Sequence, residues 1–98
     1  MKINKRGIAG TLESSDVMVV INPHDSQEIK LIVQSKVEKQ FGSSIRKTVK
    51  DTLTKCGVLS AVVDVRDQGA LDCVIRARVE AAVYRASDEK TVKFGDLS

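Results

Sequence analysis

A chain of 98 residues is long enough for one small domain that buries roughly 60–65% of its unfolded surface, so a two-layer core needs no disulfide or metal staple. Hydrophobic residues make up 42% but aromatics only 3%, and a formal charge of +3 is spread thinly, which argues against a nucleic-acid platform of stacked rings and clustered cations. The two cysteines, Cys56 and Cys73, form no C-x-x-C metal pair, and no apolar run approaches the roughly 18 residues of a membrane span, so the expectation is a soluble, cytoplasmic protein with no membrane partner.

In chain order, residues 1–7 are polar and basic and are expected to be flexible. Residues 8–12 offer a short extended piece. Val17-Met18-Val19-Val20-Ile21 is a continuous, β-branched run that predicts a strand over 17–22, closed by the turn residues Asn22-Pro23-His24-Asp25. His24 reads as a solvated turn residue. Ile29, Leu31 and Val33 alternate with Lys30 and Gln34, which predicts a half-buried strand over 28–34, hairpin-paired with the one before it. Ser35 then reads as an N-cap, with Glu38 completing a capping box.

The helix so opened is predicted over 36–56, with Val37, Phe41, Ile45, Val49, Leu53 and Cys56 on its buried row. Gly42 interrupts that row at a cost of around 1 kcal/mol relative to alanine, and Gly57 ends the helix as its C′ residue. Leu59, Ala61, Val63 and Val65 alternate with neighbours to predict a third main strand over 59–66, which Asp67-Gln68-Gly69 breaks. Leu71, Val74, Ile75, Val79, Ala82 and Val83 predict the buried face of a second helix over 70–86. Arg76, Arg78 and Arg85 occupy its charged positions, as solubilising groups or as contacts for phosphates or a partner. Both cysteines fall on apolar stripes and read as small buried hydrophobes. Residues 88–98 carry no periodicity and are expected to be flexible.

The order β-β-α-β-α, in a single domain spanning 1–98, predicts an α+β fold: a small sheet of three main strands with two helices packed on one face. The chemistry gathers in Ala9-Gly10-Thr11-Leu12-Glu13-Ser14-Ser15-Asp16, a polar segment at the mouth of the first strong strand. Ser14 and Ser15 are both expected to be exposed there. With one histidine in the chain, neither has an evident base, so neither reads as a catalytic nucleophile. A reachable, unactivated serine suits modification by another enzyme; it also suits an ordinary turn. Glu13 and Asp16 are candidates for positioning Ser14, or a metal, in that other enzyme.

Three ordered blocks narrow this reading. AGTLESSD with the strand DVMVVI, then VEKQFGSSIR at 37–46, then QGALDCVIRARVEAA at 68–82 resemble the citrate lyase acyl carrier protein family, the gamma subunit of that enzyme. The resemblance spans nearly the whole chain and thins after Ala86. It implies a non-catalytic carrier subunit in which the serine directly after Leu-Glu, here Ser14, bears a covalent prosthetic group. That group is 2'-(5''-phosphoribosyl)-3'-dephospho-coenzyme A, attached through a phosphodiester, and its thiol holds acetyl and citryl groups while citrate is cleaved to acetate and oxaloacetate. The implied partners are the citrate lyase alpha (acyl transferase) and beta (citryl lyase) subunits and a prosthetic-group transferase. The group would add roughly three negative charges and nearly cancel the basic balance. The other readings of the residues are a small basic α/β RNA-binding module and a structural adaptor.

Overall fold

The computed structural model describes residues 1–87, in the order β1 (Gly7–Gly10), β2 (Val17–Asn22), β3 (Ile29–Ser35), α1 (Glu38–Lys55), β4 (Ala61–Asp67) and α2 (Asp72–Ala86). The expected flexible tail, 88–98, lies outside the described residues. The strands form one sheet in the order β1-β2-β4-β3. The class is α+β as expected, with the short piece around Ile8 supplying a fourth strand.

β4 lies inside the sheet, between β2 and β3. Its Ala61, Val63 and Val65 are fully buried and stand beside Ile21 and Val19 of β2 on one side and Ile29, Leu31 and Val33 of β3 on the other. Both helices cover this face: α1 packs on β3 and α2, and α2 on β1 and β2. The opposite face, with Met18, Val20, Val62, Asp64 and Arg66, is only partly covered. Period-two alternation placed Val33 of β3 and Ala61, Val63 and Val65 of β4 on the inward face, but Leu59, expected with them, precedes β4 and is exposed.

Strand pairing departs from expectation. The predicted hairpin between 17–22 and 28–34 does not form: β2 is antiparallel to β1 and β4, whereas β3 lies at the far edge, parallel to β4. A parallel pair needs a long crossover, and α1 supplies it. The turn between β2 and β3 is used to cross the end of β4, where the Ser60 hydroxyl donates to the carbonyls of His24 and Ser26.

Three further expectations change for reasons of helix geometry. An i, i+4 row drifts about 40° per step, so it has rotated about 120° between Leu53 and Phe41. Ile45, Val49 and Leu53 are buried, but Phe41 is 52% exposed, and Gly42 is buried beneath the Glu38–Arg46 pair. On α2, Cys73 is exposed, since it lies about 200° around the helix from Ile75. Leu71 is exposed as well, because it precedes the helix in extended conformation. Cys56 is half-buried against the core, and burial, with Glu80 nearby, pushes its thiol pKa up.

Ser35 does not cap α1. It ends β3, donating its hydroxyl hydrogen to Asp67 Oδ2 (2.8 Å) and accepting from the Val37 amide (3.1 Å), while Glu38 pairs with Arg46 at 2.8 Å. The C-terminus of α1 is as expected. Gly57 has φ +72°, its amide donates to Thr54 O and that of Val58 to Leu53 O, both at 3.0 Å, which completes a Schellman motif.

Residues 1–6, expected to be flexible, are tied to the domain. Ile3 is buried and bridges Ser87, and the amides of Asn4 and Lys5 donate to Ala86 O. Just beyond, β1 meets α2 at Gly7, where a Cβ would stand 2.3 Å from Ala82 O; only glycine lets the two backbones approach so closely.

Candidate functional site

The segment 11–16 is the connection of the β1–β2 hairpin, and its shape starts at Gly10. Gly10 has φ +90°, and a Cβ there would fall 1.8 Å from Val17 O, so no other residue fits where the chain leaves the strand. Next, the Thr11 hydroxyl accepts from the Glu13 amide (3.2 Å) and donates to Asp16 Oδ2 (2.7 Å). The Asp16 amide donates to Glu13 O (3.1 Å), closing a turn whose two central residues are Ser14 and Ser15. Ser15 sits at φ +66°, the one described non-glycine residue in the left-handed region. Such a conformation costs about 1–2 kcal/mol for an L-residue, so neighbouring contacts must hold it.

Those contacts come from two other elements. The Ser15 amide donates to Gln68 O and the Gln68 amide to Asp16 O, each at 2.9 Å, which pins the turn to the β4–α2 connection. That connection is itself fixed by the buried Asp67 carboxylate, which accepts from the amides of Gly69 (3.1 Å) and Ala70 (2.9 Å) and from Ser35. From α2, Arg78 reaches Asp16 with a two-pronged bond, Nε to Oδ1 at 3.1 Å and Nη2 to Oδ2 at 2.9 Å. The Val17 amide adds a further bond to Oδ1 at 2.7 Å. The Asp16 side chain is only 14% exposed. The Arg78 guanidinium first, then Thr11 and the Val17 amide, hold its pKa down at about 2, so the carboxylate stays charged.

Ser14 is therefore exposed at the tip of a turn whose flanks are fixed. Ser15 is exposed too, but its amide is committed to Gln68. The two serines are separated by turn geometry, not by the alternation of an extended chain. Glu13 remains exposed, whereas Asp16, a candidate metal-positioning group from sequence, is occupied by Arg78. His24 stands at the other end of β2, about 20 Å of strand away, and meets Asp25 and Glu28 there. It cannot serve Ser14 as a base. Of the α2 arginines, Arg85 Nη1 donates to Ile8 O on the edge strand (2.7 Å), and Arg76 is exposed.

Sequence reasoning named Arg78 and Asp16 separately but missed their pairing, and it missed the role of Asp67. Arg78 and Asp16 are 62 positions apart, and nothing in either's local pattern pairs them. Asp67 read only as a strand breaker, although Asp followed by Gln-Gly is the composition of a turn in which an aspartate accepts from amides two and three residues on.

Comparison with known proteins bears directly on this loop-and-sheet arrangement. Residues 4–86 match the family described as ACP, malonate decarboxylase delta subunit (MdcD). By structure, the chain resembles a chain of the malonate decarboxylase hetero-tetramer from Pseudomonas solved with malonate, with a TM-score of 0.74, 22% identity and 87% of each chain covered. By sequence, it is 48% identical over 97 residues to citrate lyase acyl carrier protein 2 of Salmonella typhimurium and to that of Salmonella paratyphi A, covering 99% of this chain and 100% of each relative. With a family match over most of its length and relatives this similar from end to end, the chain belongs to the citrate lyase acyl carrier protein family.

Proposed function

We propose that this protein is the acyl carrier subunit of a cytoplasmic citrate lyase, non-catalytic in itself. In this reading Ser14 Oγ bears 2'-(5''-phosphoribosyl)-3'-dephospho-coenzyme A through a phosphodiester. A prosthetic-group transferase attaches it, and the alpha and beta subunits of the lyase are the partners served. When bound, the group supplies a thiol on a long tether, the chemistry needed to hold acyl groups as thioesters.

The observation that carries the reading is the presentation of Ser14: an exposed hydroxyl at the apex of a turn anchored on both sides. The residues fit such a group. A phosphodiester adds negative charge beside the turn, and the neighbouring carboxylate, Asp16, is already neutralised by Arg78, so the repulsion it would exert is reduced. No described side chain bonds the Ser14 hydroxyl as a base, which suits a serine activated by a separate enzyme. The fixed flanks give the tether a rigid root, and one root shared between two active sites raises the effective concentration at each.

The test is co-expression with the transferase followed by peptide mass spectrometry. Ser14→Ala is expected to fold like the parent, with a stability change within about 0.5 kcal/mol, and to carry no adduct. Ser15→Ala is expected to keep the adduct. An adduct on Ser15, or one persisting in Ser14→Ala, sinks the assignment.

A further inference from the structure

We infer that Arg78 is a positioning residue for attachment at Ser14, acting through its two-pronged bond to Asp16. The inference rests on Ser14 being the attachment point and adds the residue that governs how readily it is used.

Ser15 occupies a backbone region that L-residues rarely adopt, and the turn presents Ser14 outward only while that conformation persists. The Gln68 carbonyl bonds the Ser15 amide directly, and the carboxylate of Asp16 holds the loop around it through Thr11. Asp16 in turn bonds Thr11 at the start of the loop and Val17 at its end, so this one carboxylate closes the loop's neck. Arg78 is the group from outside the hairpin that fixes the Asp16 carboxylate. The guanidinium is planar and presents two parallel N–H groups, so it sets the orientation of the carboxylate as well as its position. Its stem is placed too, since Arg78 Cδ passes 3.3 Å from where a Gly10 Cβ would be.

Charge is the second contribution. Attachment joins Ser14 Oγ to the α-phosphorus of a triphosphate-activated donor. The new O–P bond forms, the bond to the departing pyrophosphate breaks, and the serine proton passes to a base of the transferase. The phosphate-bearing donor that approaches the turn in this step is anionic. An uncompensated Asp16 would repel that donor; an Asp16 paired with Arg78 does so far less.

The experiment measures attachment rates by intact mass, using the unmodified full chain, the transferase and the triphosphate-activated dephospho-coenzyme A derivative. Arg78→Ala is expected to stay folded and to lower kcat/KM for attachment at least tenfold, and amide exchange at Ser15 is expected to accelerate by a similar factor. Arg78→Lys, which keeps the charge but not the fork, is expected to recover part of the rate. In an Asp16→Asn background, Arg78→Ala should change the rate by no more than about twofold, since coupled residues are not additive. Where Arg78→Ala loses stability, Asp16→Asn should reproduce the positional part of the defect in a folded chain, read as the faster amide exchange at Ser15; unchanged exchange there overturns the inference.

An unchanged rate in Arg78→Ala overturns the inference. So does a full tenfold effect in the Asp16→Asn background, which would mean that Arg78 acts on its own. An adduct in the parent chain that maps away from Ser14 is a separate result: it removes the carrier assignment on which the inference stands.

Discussion

Asp16 is the residue on which most of the loop's order depends, and its titration is accordingly a stability signal. Its folded pKa of about 2 lies below the ordinary value of 3.8, so the stabilisation is fully present above about pH 4 and is lost as pH falls through about 2. An acid titration of thermal stability should show this loss between those values, and Asp16→Asn should abolish that component. A curve unchanged by the substitution would mean that other carboxylates dominate. Gly10 is the second such residue. Gly10→Ala puts a Cβ into Val17 O at positive φ and should cost more than about 2 kcal/mol in a urea melt. At this scale the exposure of Ser14 and Ser15 was legible, because the polar composition of the turn is local. The Arg78–Asp16 pair was not, since a bond between side chains 62 positions apart exists only once the sheet has brought α2 over the hairpin.

Within single elements, burial separates what periodicity could read from what it could not. The inward rows Ile45-Val49-Leu53 and Ile75-Val79-Ala82 were legible because each lies within three turns, where drift of the helical row is small. Phe41 and Leu71 were misread at the ends of the same rows, where drift and the helix start intervene. The consequence is quantitative: Ile75→Ala should cost roughly 2–5 kcal/mol, but Phe41→Ala less than about 1 kcal/mol. Equal losses in chemical denaturation would contradict the burial difference. Gly42 also has an explanation in the folded helix. The Glu38–Arg46 pair passes over it, with Glu38 Cγ 2.9 Å and Arg46 Nη1 3.1 Å from where a Cβ would be. Gly42→Ala displaces only these exposed, flexible side chains, so helix propensity should win and the variant should gain up to about 1 kcal/mol. A destabilised variant would show that the ion pair outweighs the backbone term.

For the molecule as a whole, the class followed from the order of elements and the inward faces of β3 and β4 from alternation, but the order β1-β2-β4-β3 did not. Alternation reports which side of a strand is buried and says nothing about its neighbours, and proximity in sequence favoured a hairpin where the chain makes a parallel crossover through α1. This topology also decides how the exposed turn at 13–16 should behave towards proteases. Cleavage requires a segment to detach and extend, and this one is bonded to the β4–α2 connection and to α2, elements from the other end of the chain. Freeing it therefore means dismantling much of the domain. A Glu-specific protease acting at Glu13 should cut slowly, with a rate that climbs with urea as steeply as global unfolding does. A nearly urea-independent rate would reveal a loop that opens alone. On the first outcome, the turn that displays Ser14 is also among the last parts of the domain to come undone.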